Sequence, residues 1–484
     1  MAALASTIDT IAAISTPVGQ GAVGIVRLSG PGAIAVADAV FSSKKGRPLS
    51  AARTFSISYG WIVRDKQAFE RAGRMPASSG LRHSGGVVVD EVIVSLMRSP
   101  HSYTREDVVE INSHGGPRVL SAILELLLEK GARLADPGEF TRRAFLNGRL
   151  DLAQAEAVLD IIQAKSDLAL KNGLTQLSGG LSGRIKALRR RLIDVLADIE
   201  ARLDFSEEEL SSFCESSVRA AVTGALDELK ELLEGSFCGR IVREGLKVVI
   251  YGRPNVGKSS LLNALLRTQR AIVTDIAGTT RDTIEECVSI RGLAVCFVDT
   301  AGILEAHDEI ERLALERTHK AIEACDLLLF VLDGSVSIGQ EDETLLSQLA
   351  PAKKLIGVVN KSDLSVQADP VRLRSLFGTR PLVEVSALKG TGIKQLEEAI
   401  VGAVFHDPAL LSSDLLVSNV RHIGILKDAA ASLERSADSL QKGLSPEFIA
   451  ADLRRAADSL GELTGEVFHE DVLDVIFSKF CIGK

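Results

Sequence analysis

Apolar and polar positions change rhythm three times along the 484-residue chain. From residue 8 to about 148, short β-rich runs (Ile8–Ile14, Gly24–Leu28, Gly86–Leu96, Asp107–Ile111) alternate with Gly/Pro turns and one clear helix, Pro117–Lys130, predicting an α+β domain. Within it, Arg64–Gly86 is rich in Arg, Ser and Gly and reads as a surface loop or insertion. From about Leu150 to Leu233 the rhythm becomes helical, as in Leu152–Leu170 and Leu181–Leu203. Leu188, Leu192, Val195, Leu196 and Ile199 recur at spacings of three and four, an apolar stripe suited to a bundle core. The basic run Arg189-Arg190-Arg191 beside it reads as a solvated face.

Around Gly245 short apolar strands (Lys247–Tyr251, Ala294–Val298, Leu327–Leu332, Leu355–Val359, Leu382–Val385) begin to alternate with helical stretches, the pattern of a parallel sheet with crossover helices. This ends near Phe405, and Asp407–Lys484 is helical again. The expected organisation is multi-domain α/β: an α+β domain over 1–148, a helical domain in two parts, 149–243 and 407–484, and an α/β domain inserted between them at 244–406.

Composition is that of a globular protein, 46% apolar and 25% charged. No apolar run reaches the ~18 residues of a bilayer span, and Met1-Ala2-Ala3-Leu4-Ala5-Ser6 lacks the basic residues of a secretory signal, so a cytoplasmic protein without membrane insertion is expected. With 56 basic against 64 acidic residues the net charge is −8, which disfavours nonspecific coating of nucleic acid but allows a local RNA patch. The six cysteines (Cys214, Cys238, Cys287, Cys296, Cys325, Cys481) show no CxxC spacing and are too sparse for a disulfide framework. Five read as core or bland surface residues; Cys481 lies four residues from the end.

The strongest chemical signal is Gly252-Arg253-Pro254-Asn255-Val256-Gly257-Lys258-Ser259, followed by Ser260. It matches GxxxxGK[ST] between a strand and a helix over Ser259–Leu266, the context the pattern needs. Backbone N–H groups and the helix N-terminus would hold the β-phosphate, Lys258 would bridge the β- and γ-phosphates, and Ser259 would ligate Mg²⁺. Four further elements follow. Thr274-Asp275-Ile276-Ala277-Gly278-Thr279-Thr280-Arg281-Asp282 supplies a switch threonine, Thr280, as a second Mg²⁺ ligand. Asp299-Thr300-Ala301-Gly302 can hold Mg²⁺ through water and sense the γ-phosphate. In Asn360-Lys361-Ser362-Asp363 the last carboxylate can accept N1–H and the N2 amino group of guanine, donors that adenine lacks. Ser386-Ala387-Leu388 would meet guanine O6 through backbone N–H groups. Five elements in order define a GTPase.

Ras-like GTPases orient water with a glutamine after the DxxG element; here that position is Ile303, which cannot. Charge between the β- and γ-phosphates could be offset by Arg281 in cis or by a monovalent cation at the Asn255 amide, with Thr274 and Ile276 completing its coordination. Glu305, Asp308, Glu309 and Glu311 are all candidates to orient water, and periodicity does not choose among them.

The set GRPNVGKSS, TDIAGTTRD, DTAG, NKSD and SAL resembles the TrmE–Era–EngA branch of GTPases. Outside that region, Gly21–Gly30 (GAVGIVRLSG), Glu106–Ile111 (EDVVEI), Pro137–Leu152 (PGEFTRRAFLNGRLDL) and the terminal Phe480-Cys481-Ile482-Gly483-Lys484 resemble the MnmE (TrmE) family of tRNA uridine modification GTPases over essentially the full length. The resemblance implies a potassium-activated GTPase that works with the flavin-containing partner MnmG. Together they would add an aminomethyl or carboxymethylaminomethyl group to C5 of the wobble uridine, position 34, of certain tRNAs. The carbon would come from a tetrahydrofolate derivative (5-formyl- or methylene-tetrahydrofolate) bound by the N-terminal domain, which also makes the homodimer; a heterotetramer with MnmG is expected.

Carried over by position, the resemblance implies potassium at Asn255, Thr274, Ile276 and Thr279, Mg²⁺ at Ser259 and Thr280, and Glu311 as the water-orienting residue. It implies folate at Arg27, Glu110, Arg149 and Lys484, and makes Cys481 a candidate catalytic group beside Lys258 and Glu311. Family members often carry Lys where Arg149 stands and Arg where Leu304 stands, and the loop Arg64–Gly86 is longer than usual. The alternative classes are a ribosome-assembly GTPase, which would append basic RNA-binding modules, and a dynamin-like GTPase, which would need an amphipathic lipid-binding helix.

Overall fold

Residues 9–17, 19–71, 88–204, 215–268, 285–298, 320–349, 354–365, 367–405 and 415–484 are described by the computed structural model. They fall into two units, Met1–Leu159 with Gly461–Lys484, and Asp160–Leu460. This division cuts across the four segments expected from sequence: the final 24 residues belong with the N-terminal sheet rather than with the helices that precede them.

The first unit is built on a seven-stranded sheet of β1 (Ile11–Ile14), β2 (Gly21–Ser29), β3 (Phe41–Ser43), β4 (Ser56–Val63), β5 (Val88–Met97), β6 (Val108–Gly115) and β7 (Arg133–Leu134). Their order is β3-β4-β5-β6-β2-β1-β7, antiparallel except for the β1–β7 pair. Period-two alternation sends Val26 and Leu28 of β2, Val94 and Leu96 of β5, and Val109 and Ile111 of β6 into one core with the helices Ala33–Val40 and Pro117–Glu129. The same alternation leaves Arg27 and Glu110, paired in register across β2 and β6, on the opposite face. Four strands therefore stand near the expected runs, while β3, β4, β7 and the helix Ala33–Val40 were not anticipated. Of the expected loop Arg64–Gly86, residues 64–65 lead from β4 into a helix, Lys66–Arg71, and residues 72–86 lie outside the described residues.

In the second unit the sheet order is β13-β12-β11-β8-β10-β9, formed by β8 (Leu246–Tyr251), β9 (Glu285–Ile290), β10 (Leu293–Val298), β11 (Leu327–Asp333), β12 (Lys354–Asn360) and β13 (Leu382–Glu384). All pairs are parallel except β9 with β10. β9 was missed because its sequence, EECVSI, carries two carboxylates at an edge that water can reach. That omission hid a second feature. Cys287 and Cys296 oppose each other across β9 and β10 and form a disulfide, which corrects the expectation that both were unpaired. Cys238 and Cys325 are buried free thiols, as expected, and Cys214 lies outside the described residues.

The expected helix Leu152–Leu170 is two helices, Leu152–Gln163 and Asp167–Leu177, because the Ser166 side chain accepts the Ala169 N–H and starts a new helix there. The stripe on Gly180–Asp204 is buried as read, with Leu188, Leu192, Leu196 and Ile199 all inside. Of the basic run beside it, Arg189 donates to Ala457 O and Arg191 pairs with Glu228. The α/β sheet does not hang from the helices by thin links. Ala169, Cys238, Ile241 and Val242 from the helices Asp167–Leu177 and Ser236–Glu244 share one core with Val288, Ile290, Val295 and Phe297 of the sheet.

Candidate functional site: a phosphate loop and a docked C-terminal tail

β8 ends at Tyr251, and the chain turns through residues 252–257 into the helix Lys258–Thr268. Two glycines permit this turn. Gly252 (φ 152°) and Gly257 (φ 93°) lie outside ordinary L-residue space, and an added Cβ would stand 2.3 Å from Val331 O and 2.3 Å from Asn360 Nδ2 respectively. Asn255 also takes a left-handed φ of 63°, which asparagine tolerates better than most residues.

The loop carbonyls are occupied by side-chain donors. Lys258 Nζ donates to Gly252 O at 3.0 Å and Arg253 O at 2.8 Å. Lys361 Nζ donates to Asn255 O at 3.0 Å, and Asn360 Nδ2 to Val256 O at 3.0 Å. Holding the carbonyls in this way leaves the loop's N–H groups for an anion, the arrangement that binds phosphate at a helix N-terminus. Lys258 is nine-tenths buried, and burial lowers its pKa; a bound phosphate would restore the charge-stabilising environment that burial removes. Ser259 and Ser260 are exposed at the first turn of the helix.

Three of the expected elements converge through Asn360. Its Nδ2 holds the phosphate loop while its Oδ1 accepts the Ala387 N–H at 3.1 Å. Asp363 accepts a hydrogen bond of 2.6 Å from Ser386 Oγ, and this bond holds its carboxyl below the usual carboxylate range, so it is ionised at neutral pH. Leu388 is exposed beside them. Asp333, not singled out from sequence, orients Lys361 through a 2.6 Å ion pair; the pattern of a hydrophobic strand ending in Asp was the available signal. Thr274, Asp275, Ile276, Ala277, Gly278, Thr279, Thr280 and Arg281 lie outside the described residues, as do Asp299, Thr300, Ala301, Gly302, Glu305, Asp308, Glu309 and Glu311.

In the first unit the C-terminal tail docks on the sheet. Ile482 bridges Pro137, Phe140 N donates to Lys484 O at 3.2 Å, and Gly138 N to Cys481 O at 3.4 Å. Gly483 O accepts from Ser15 Oγ at 3.1 Å and from Arg27 Nη1 at 3.4 Å. Arg27 in turn pairs with Glu110 at 2.8 Å. Its guanidinium lies 6.0 Å from the Tyr103 ring centroid and 5.6 Å from that of Phe140, while Arg149 approaches Tyr103 to 4.7 Å and donates to its carbonyl. Arg27 and Arg149 thus both approach Tyr103, Glu110 is held by Arg27 and the Lys484 carbonyl by the Phe140 N–H, with Cys481 exposed in the same tail. Ser15 and Tyr103 were not anticipated; neither sits in a pattern that sequence alone marks. No cluster of metal-ligating side chains occurs among the described residues, and no described helix is long and apolar enough to cross a membrane.

The parallel sheet, its phosphate loop and the converging Asn360, Asp363 and Ser386 define the second unit as a P-loop GTPase. The remainder of the chain specifies which. Residues 10–149 match the family described as GTP-binding protein TrmE N-terminus, and residues 152–481 match the MnmE helical domain. The tRNA modification GTPase MnmE of Bacillus subtilis (strain 168) is 44% identical over 478 residues, 98% of this chain and all of that protein. The protein of the same name from Symbiobacterium thermophilum is 45% identical over 476 residues, 98% and 99% of the two chains. The chain belongs to the MnmE family of tRNA modification GTPases.

Among solved structures, the G domain of the T. maritima FeoB iron transporter is 28% identical, covering 33% of this chain and 98% of that one at a TM-score of 0.26. Era in complex with MgGDPNP and a 16S ribosomal RNA segment is 29% identical, covering 38% and 66% at a TM-score of 0.28. At such TM-scores the likeness adds nothing to the fold, which the sheet order and the phosphate loop define.

Proposed function

We propose that this cytoplasmic GTPase modifies C5 of the wobble uridine, position 34, of certain tRNAs. It acts as a homodimer with the flavin-containing partner MnmG, in a heterotetramer, and installs an aminomethyl or carboxymethylaminomethyl group. The observation that supports this reading best is the docked tail: Gly483 O on Arg27, beside Glu110, places Cys481 and Lys484 at a charged and aromatic surface of the N-terminal sheet.

The donor set there suits a folate. Two guanidiniums and the Lys484 ammonium can meet carboxylates, Glu110 can accept from a pteridine's N–H groups, and the partly exposed Tyr103 offers a flat aromatic face. A tetrahydrofolate derivative bound there would supply the one-carbon unit; this chain's residues orient it and exclude water. Cys481, exposed in the tail, is the proposed catalytic group, as a nucleophile or as the cap of a transient adduct.

On the GTPase side, Lys258 and the loop N–H groups stabilise charge that develops on the phosphates. Ser259 with Thr280 would hold Mg²⁺, and its exposure at the helix start leaves its hydroxyl available. Asn255, with its carbonyl taken by Lys361 and its side chain exposed, would offer an amide oxygen to potassium, joined by Thr274, Ile276 and Thr279. Glu311 is the proposed water-orienting residue. Nucleoside mass spectrometry of tRNA from cells lacking the chain tests the reading: the C5-modified wobble uridines should disappear. Their persistence, with a ribosome-assembly defect instead, would favour a GTPase switch.

A further inference from the structure

Arg253 occupies a variable position of the phosphate loop, yet both its backbone and its side chain are held. Its carbonyl accepts from Lys258. Its Nε lies 2.6 Å from Asp342 Oδ1, and its Nη1 lies 3.7 Å from Glu341 Oε2. Asp342 and Glu341 belong to the first turn of the helix Gln340–Gln348, which follows β11. The Asp342 side chain is 2% exposed and its other oxygen accepts the Gly339 N–H at 3.1 Å, so one carboxylate both caps its helix and faces the loop.

A buried ion pair is a poor source of net stability, because desolvating two charges offsets much of their attraction, whereas removing one partner strands the other. Its value lies in fixing geometry. The segment from Asp333 to Asp342 grips the phosphate loop at two points: its start acts through Lys361 on Asn255 O, and its end acts on Arg253. These points, Arg253 and Asn255, flank Pro254, and the N–H groups that must already converge before a phosphate arrives follow directly, in residues 255–259. Where a loop is ordered in advance, the ligand need not supply that ordering.

We propose that Asp342 is a positioning residue for nucleotide binding, acting through Arg253 to hold the phosphate loop in its phosphate-ready form. The inference rests on the GTPase unit alone and stands whatever chemistry the tRNA undergoes.

The test measures GTP KM and kcat by phosphate release, the Kd of a fluorescent GDP analogue, and the melting temperature. The proteins are wild type, Arg253→Met, Asp342→Asn, the double variant and Arg253→Lys. Asparagine keeps an oxygen for the Gly339 N–H and, toward Arg253, removes the charge and turns the acceptor into an NH2 donor. Ordering one residue of backbone corresponds to roughly tenfold in affinity, so each single variant should raise KM and Kd roughly tenfold while kcat changes less than about threefold. The double variant should be no worse than either single one, as coupled partners require, and Arg253→Lys should recover most of the loss. A lowered melting temperature with unchanged KM and Kd, or additive effects in the double variant, would overturn the proposal. Should Asp342→Asn fail to fold, Arg253→Met and Arg253→Lys, at a partly exposed side chain, still decide it through KM and Kd.

Discussion

Arg27 and Gly483 are separated by 456 positions, yet the Arg27 guanidinium donates to the Gly483 carbonyl while its other nitrogens hold Glu110. One strand residue thus orients a carboxylate by cross-strand register and fixes the end of the chain by a backbone contact. Gly483 has φ 94°, and a Cβ there would lie 2.3 Å from Ile14 O. Gly483→Ala should therefore release the tail. Carboxypeptidase digestion should remove Lys484 faster than in wild type, with GTP hydrolysis preserved and modification lost; equal digestion would refute the docking role.

Cys481 is exposed and contributes only its backbone to the docking, so its thiol can be changed without moving the tail. Cys481→Ser should abolish tRNA modification and leave GTP turnover within about twofold, since surface substitutions rarely exceed ±0.5 kcal/mol in stability. Intact modification would remove the thiol from the chemistry.

Base selection is proposed to rest on Asp363, whose pKa the Ser386 bond lowers. Asp363→Asn replaces an acceptor by a donor facing the guanine edge. GTP affinity should fall about 100-fold, the scale of an unpaired group bonded to a charge, while xanthosine triphosphate affinity rises. Unchanged GTP affinity in a competition assay would contradict the base assignment.

The proposed potassium site is centred on Asn255. Asn255→Ala should lower turnover and abolish the difference between potassium and sodium buffers in a phosphate-release assay. A difference that survives would place the cation elsewhere or give its task to Arg281.

Stability of the N-terminal unit should depend on acid pH through Glu139. Burial alone would raise its pKa, but hydrogen bonds from Arg133, the Asp136 N–H and Arg143 outweigh it and hold the carboxyl below the usual range. A carboxylate with a depressed folded pKa stabilises the fold above its unfolded pKa and loses that contribution as pH falls through the folded one. Melting of the unit should therefore fall steeply below about pH 4, the unfolded glutamate value, and Glu139→Gln should flatten that acid limb. It should also cost about 1–3 kcal/mol at neutral pH, because Arg143 is buried to 2% exposure and loses a partner. An unchanged acid limb in thermal melts would show that other groups set it.

What could be read from sequence followed from how local the signal was. The phosphate loop was legible because glycine geometry and a lysine at fixed spacing leave few alternatives, and the five β8, β10, β11, β12 and β13 runs were legible because buried parallel strands are continuously apolar. β4 was harder: its sequence, SISYGWIV, mixes polar, aromatic and small residues, and Ile57 and Tyr59 face outward. β9 and its cross-strand cysteine pair escaped together, since the pair exists only once the strand is known. Arg253–Asp342 and Ser15–Gly483 are contacts between distant segments, which no local pattern encodes. The four folate candidates came from a resemblance, and the sheet register then placed Arg27 opposite Glu110.

On the proposed function, a nucleotide-hydrolysing unit and a tail-bearing sheet in one chain serve a single tRNA modification. Wobble nucleosides measured by mass spectrometry, in a deletion strain complemented with wild type or with Cys481→Ser, test it most directly. The modified uridines should be absent from the deletion strain, restored by wild type, and absent again with Cys481→Ser despite normal GTPase activity. Normal modification in the deletion strain would contradict the account.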